Sequence, residues 1–311
     1  MLPAVLAATW QDGLFVLTEK ALEHELAGHS VRGLTTDGRG GALAIVDGDT
    51  LRRRSAAGQW RVLAAAADLS CCVASGDAVY VGTDTARVFR IDADQNLAEV
   101  PGFGRVKGRE TWTAGQALVD GKLVGPPLGV RSISAAPDGT LLANVHVGGI
   151  PRSTDGGITW HPTIDVERDV HEVRAHPSRP GVVMAAAAAG LCSSRDGGAT
   201  WTVQYEGLHA RYCSAVAFVG DDVWVAASDS HFASQGRVYR RRVAEDGPLS
   251  AVLGDLPEWT DGIVDTNCIA ASGSRVALAD RAGNVYLSSN AGLNWSRAAD
   301  RLPALSGILV A

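Results

Sequence analysis

Apolar residues along this chain alternate with polar ones in short runs, as in Val79-Tyr80-Val81, Arg237-Val238-Tyr239 and Val285-Tyr286-Leu287, and glycine or aspartate closes each run. A period of two places one face of a strand in a core and the other towards solvent, so the pattern predicts an all-β chain. Met184 to Ala189 is the exception, because an alanine run prefers helix. It falls in the second-strand register of a repeat, where small residues suit tight packing between sheets, and a strand is expected there too.

The repeat itself shows in an eight-residue frame. Ser153, Asp155, Gly157 and Trp160 recur at the same spacing as Ser194, Asp196, Gly198 and Trp201, and, with Asn for Asp, as Ser288, Asn290, Gly292 and Trp295. A turn repeated at fixed spacing marks a repeated supersecondary unit. The clearest unit has strands at Arg131 to Pro137, Thr140 to Val147, Ile150 to Ser153 and Thr159 to Ile164, with the frame between the last two. Units are expected over 30–67, 68–103, 130–165, 169–207, 210–256 and 264–302, and residues 2–28 with 305–311 make one more. Over 311 residues this gives about 44 per unit, the size of a four-stranded blade. The predicted architecture is one domain, 1–311: a seven-bladed β-propeller of four-stranded antiparallel blades. The C-terminal strand pairs with the N-terminal blade, which leaves no open sheet edge. Residues 104–129 exceed what a connection needs and are read as an insertion, either a lid or an extra hairpin from Ala117 to Val124 turning at Asp120-Gly121.

In the repeated frame the Asp or Asn oxygen accepts backbone N–H groups, the serine hydroxyl steadies it, glycine supplies a positive φ, and tryptophan packs on the sheet. The frame resembles the Asp-box of BNR-repeat proteins, which include sialidases and other glycoside hydrolases, sortilin-type receptors and photosystem II assembly factors. The runs 169–173, 207–213 and 265–268 are similar to those of bacterial proteins labelled BNR-repeat or glycosyl hydrolase. The resemblance implies that these turns are structural and lie opposite the ligand site. It does not extend to sialidase chemistry: the arginine triad, the Tyr/Glu pair and the Asp acid have no counterpart. Phe89-Arg90-Ile91-Asp92 lacks the proline of the sialidase motif and falls on a third strand.

A net charge of -6 with no basic stripe argues against a nucleic-acid partner. No apolar run reaches membrane-spanning length, and the N-terminal run lacks a basic leader region. Five cysteines (71, 72, 192, 213 and 268), odd in number and set in apolar runs, are expected to be buried reduced thiols, which fits a cytoplasmic protein.

Candidate chemistry collects at the strand entrances of the other face. Alignment of the units puts Arg32, Leu69, Arg131, His171, Cys213 and Thr266 at one position, and the second-to-third-strand turns add Trp10, Asp47, Asp84, His146 and His231. The connections between units add His209, Glu258, Trp259, Asp261 and Asp265. His146, His171, His209 and His231 belong to three consecutive units and are candidate ligands for a divalent transition metal (Zn, Fe, Cu or Mn), with Cys213, Glu172 or Asp229 completing the shell. The alternative is that they hydrogen-bond loop carbonyls. Arg32 and Arg131 suggest an anionic ligand or else a salt bridge to Glu172 or Asp265, while Trp10 and Trp112 offer aromatic contacts. Glu172, Asp265 and Tyr212 are the catalytic candidates. The expected function is small-molecule or metal binding at the channel mouth, including a metal-dependent enzyme. Two alternatives stand beside it: a non-catalytic scaffold holding a protein partner, and a glycoside hydrolase using carboxylates among Glu110, Glu172, Glu258, Asp261 and Asp265.

Overall fold

The computed structural model describes residues 4–115, 117–119, 122–124, 128–165 and 168–311. Seven antiparallel sheets stand around a common axis, and their innermost strands pack side by side in a ring. From blade I to blade VII these are Leu305–Val310, Val31–Thr36, Leu69–Ser75, Val130–Ala135, Val170–Ala175, Tyr212–Val219 and Ile269–Ser272. The chain closes as the pattern predicts: Leu305–Val310 pairs antiparallel with Val5–Thr9, with Val5 opposite Val310. Both ends of the chain thus share one sheet, and ring closure needs no unpaired edge.

Burial follows strand position. Second strands such as Ala42–Val46, Leu141–Val145 and Val183–Ala187 are buried at every residue, since neighbouring blades cover both of their faces. Outermost strands such as Leu22–Glu25 and Ser296–Ala299 are mostly exposed. This explains the alanines at 185–187: a doubly covered strand has room for small side chains, and tertiary packing overrides helix preference. The core is accordingly a set of layers between blades. Leu43, Ile45, Leu51, Cys72 and Val81 fill the gap between blades II and III, for example, and Leu142, Ile150, Val173 and Ala185 that between IV and V. Blade IV departs from the expected four strands: its last strand is reduced to one bridge, Arg152 opposite His161. Blade VI gains a short fifth strand, Thr260–Asp261, on Gln235–Arg242.

The three repeated turns have one geometry. Ser153 Oγ accepts the Gly157 N–H at 2.9 Å and donates to Asp155 Oδ1 at 2.8 Å, and Asp155 accepts the Thr159 N–H at 2.9 Å. Ser194 and Ser288 repeat the pattern with Asp196 and Asn290. The frame glycines have φ of 92°, 84° and 79°, which a side chain would resist. Trp160 and Trp295 donate their indole N–H to the glycine carbonyl of the same turn, whereas Trp201 reaches Thr163 Oγ1.

These bonds carry a pH prediction. The Thr159 hydroxyl and amide lower Asp155 from an ordinary 3.8 to about 2. At Asp196 burial opposes the shift, but the bonds from Thr200 and Ser194 outweigh it and again give about 2. A folded pKa below the unfolded one means stabilisation that is full above about 3.8 and lost as pH falls towards 2. The third turn already uses an amide, Asn290, in the same place. Asp155→Asn combined with Asp196→Asn is therefore expected to keep the turns and flatten the acid limb of thermal stability over that window; an unchanged limb would contradict it.

The insertion folds against blades III and IV. Phe103 and Trp112 pack together with Trp160, and the Arg109 guanidinium lies 4.8 Å from the Trp112 ring. Ala117–Val119 and Lys122–Val124 form the expected antiparallel hairpin, while the Asp120-Gly121 turn and residues 125–127 lie outside the described residues.

Candidate functional site at the channel mouth

The innermost strands of five blades enter their sheets through a bulge, in which one extra residue opposes no partner: Ser70, Arg131, His171, Ser214 and Ser306. A bulge re-aims the side chain it carries, here sideways to the next blade. Ser70 Oγ donates to the Val130 carbonyl at 2.7 Å, Ser214 Oγ to Val264 at 2.6 Å, and Ser306 Oγ to Val31. His171 Nδ1 meets the Cys213 carbonyl at 2.5 Å. In blade II the register slips one step later, and Arg32 makes the equivalent bond to the Leu69 carbonyl at 2.6 Å. The shared position is therefore Ser70 and Ser214 rather than Leu69 and Cys213, because a bulge adds a residue that strand alternation does not reveal. Arg131 occupies this position without, among the described residues, any hydrogen bond or ion pair.

Among the described residues, His146, Asp169 and His171 form a cluster that could hold a metal, with their ligand atoms all within 4.8 Å of one another. His146 Nε2 lies 2.6 Å and His171 Nε2 3.3 Å from Asp169 Oδ1. Neither contact is aligned as a hydrogen bond, and both His171 Nε2 and Asp169 Oδ1 are buried without such a partner. The Nδ1 atoms are committed elsewhere: His171 to Cys213, and His146 to the Ala114 carbonyl at 3.1 Å. A carbonyl oxygen only accepts, so both rings carry their proton on Nδ1. Burial would raise the Asp169 carboxyl, but the two imidazoles beside it hold it well below the usual range. Gly115 shapes the pocket from the insertion, since its φ is 61° and a Cβ there would lie 2.6 Å from His146 Nδ1.

The other sequence candidates separate. His209 is exposed and bonds the Tyr239 hydroxyl at 2.7 Å, with its ring against Trp259; His231 lies beside Arg281. Neither belongs to the cluster, because His209 lies in the connection from blade V to blade VI and His231 on blade VI, beyond the blade IV–V junction that His146, Asp169 and His171 share. Cys213 offers its carbonyl, while its thiol is fully buried with its pKa pushed up by burial; all five cysteines are free and buried. Trp112 is 6 % exposed and belongs to the core of the insertion rather than to a ligand surface. Glu172 is 0 % exposed and accepts bonds from Arg174 Nε, the Val216 N–H and the Asn267 N–H, so it ties blades V, VI and VII together inside the channel. Asp169 is the member of this cluster that sequence reasoning missed; its proximity to His171 in the 169–173 run was the available signal.

Above that tie, a cleft of about 300 Å³ opens at the mouth, and it is lined by Trp10, Arg32, Arg131, Asp265 and Thr266 among others. Arg32 is paired with Asp84 at 2.7 Å and Arg281 with Asp265 at 3.4 Å. Tyr212 packs its ring 4.5 Å from His171. Burial first, then Asp169 and Asp265, hold its phenol above the usual range, so it is a neutral donor.

No family model and no curated protein matches the sequence. Solved structures do share the fold. The GH74 enzyme of Niastella koreensis superposes with a TM-score of 0.60 at 14 % identity, over 94 % of this chain and 46 % of that one. The chain thus spans about half the length of that enzyme. The computationally designed Ika8 protein gives 0.60 at 13 % identity over 98 % and 86 %, and YCF48 bound to D1 peptide gives 0.55 at 16 % identity over 86 % and 82 %. Among the described residues no helix is long and apolar enough to cross a membrane. At these identities the likeness shows the fold alone: this chain is a seven-bladed β-propeller.

Proposed function

We propose that the channel mouth is a metal-centred binding site for a small molecule, with His146, His171 and Asp169 holding a divalent transition metal of the Zn, Fe, Cu or Mn kind. The observation that carries this is the buried, unpartnered His171 Nε2. With Nδ1 protonated, both rings turn Nε2 towards one carboxylate oxygen, an arrangement held either by a second proton on each ring or by a cation among the three. The donor set of two imidazoles and a carboxylate suits such metals. Ligands about 2.1 Å from a tetrahedral ion lie roughly 3.4 Å apart. The His171 to Asp169 spacing of 3.3 Å fits, and the His146 contact at 2.6 Å would have to widen by less than an ångström. Three protein ligands leave a coordination position for water or substrate, the pattern of catalytic metal sites.

A metal-free glycoside hydrolase is less well supported. Glu172 is buried in its own bonds, Asp265 is paired with Arg281, and Glu258 lies 3.3 Å from Arg237. Kinship with Asp-box propellers rests on the three repeated turns and is part of the same proposal. A scaffold that holds a protein, as YCF48 holds a peptide, would need none of the imidazoles.

The test is metal uptake by untagged, chelator-stripped protein. One equivalent of Zn²⁺ per chain is expected. At a hundredfold excess over Kd the stabilisation is about 2.7 kcal/mol, a rise of roughly 4 °C in Tm for a chain of this size. Asp169→Asn should lose both effects. Uptake well below one equivalent for every metal of the set overturns the proposal.

A further inference from the structure

We infer that the ligand of the mouth cleft is a small monocarboxylate carrying hydroxyl or amino groups, seated by its acid group on Arg131; this rests on reading the mouth as a binding site. Arg32, Arg131, Arg174 and Arg281 reach the channel. Three of them, Arg32, Arg174 and Arg281, each have a carboxylate, from Asp84, Glu172 and Asp265 at 2.7, 2.5 and 3.4 Å. Arg131 has none among the described residues, although it lines the cleft from a bulge. Arg32, Arg131 and Arg281 against Asp84 and Asp265 leave one positive charge, which a monoanion neutralises. A dianion would add a negative charge next to the two carboxylates. The planar guanidinium fork fits a carboxylate in a bidentate pair.

The rest of the ligand follows from the donors already used. Ser70, Thr266 and Ser306 spend their hydroxyl protons on the carbonyls of Val130, Ser214 and Val31. They therefore offer the cleft oxygen lone pairs, as Asp84 and Asp265 do. Beside the donors of Arg131, Asn267 and Trp10, these acceptors favour a ligand with donors of its own, which means hydroxyl or amino groups beside the acid. Trp10, 47 % exposed at the rim, supplies an apolar face. At about 30 Å³ per water-sized group, a volume near 300 Å³ holds about ten non-hydrogen atoms.

Calorimetric titration of the stripped and the Zn²⁺-loaded protein tests this, with threonate and threonine as probes, threitol as the uncharged counterpart and inorganic phosphate as the other anion. At least one of the two carboxylates should bind more than tenfold tighter than threitol. Arg131→Met should weaken it by tenfold or more, and Arg131→Lys by less, with Zn²⁺ stoichiometry and Tm unchanged in both variants. Equal binding of threitol, tighter binding of phosphate, or indifference to Arg131→Met overturns the inference. Zn²⁺ uptake by a protein that ignores both carboxylates removes this inference and leaves the metal centre standing. Carboxylate binding through Arg131 without Zn²⁺ uptake does the reverse.

Discussion

His171→Ala is expected to weaken Zn²⁺ binding by well over a hundredfold, while His209→Ala leaves it unchanged. Outer-shell partners of a metal ligand are already worth about 10- to 100-fold, and His171 would be a ligand whose own outer shell is the Cys213 carbonyl at 2.5 Å. The alternative reading, in which the imidazoles serve as bridges between blades, predicts a different signature. In that case His171→Ala would lower Tm through the lost bond to blade VI but would not alter metal uptake, because there would be none. Competition against a chromophoric chelator, run beside thermal unfolding of the stripped protein, separates the two. Equal Zn²⁺ affinity in the His171 and His209 variants would sink the assignment. The contrast is sharp because both histidines face the same end of the propeller, and of the two it is His171 that has an unpartnered buried nitrogen.

The largest effect on stability is expected at Arg174. Its guanidinium bonds Glu172 at 2.7 Å and Asn267 Oδ1 at 2.8 Å, so it neutralises a carboxylate that is 0 % exposed inside the channel. Arg174→Met strands that charge, and breaking a buried pair in this way costs about 3–5 kcal/mol. Glu172→Gln should cost less, because a neutral amide oxygen still accepts from the Val216 and Asn267 N–H groups and Arg174 keeps partial access to water. The double variant should be more stable than Arg174→Met alone, since it removes the stranded charge together with its partner. Urea unfolding of the three variants checks the order. Additive losses would show that the pair contributes no coupling across the channel.

Much of this architecture is written in local sequence. The Ser-x-Asp-x-Gly-x-x-Trp frame determines its own turn, since serine, the acid or amide and glycine bond within or beside the frame in all three copies and the tryptophan does so in two, and its recurrence gives the register of the blades. Alternation marks the strands, and at 183–187 the repeat register correctly overrides alanine's helical preference. Two of the three proposed metal ligands are legible as well: His146 and His171 are recognisable as residues of one face. The bulges are not legible, because an unpaired residue changes no local preference, and so Ser70 and Ser214 are each missed by one position.

What the sequence by itself determines is the repeating unit and the face that carries polar chemistry, because these depend on residues a few positions apart, and the closure of the ring, because the two partial units at the chain ends complete one blade. Which imidazoles meet, which arginine lacks a carboxylate and which carboxylate is sealed in the channel depend on side chains from different blades. Asp169 lies between His146 and His171 only because blades IV and V are neighbours, and Glu172 reaches Asn267, 95 residues away, only because the ring closes. Pairing of charges across blades is a property of the assembled ring. Among the described residues, tertiary structure therefore turns a set of candidates into one cluster, one channel-facing arginine left without a carboxylate and one buried tie.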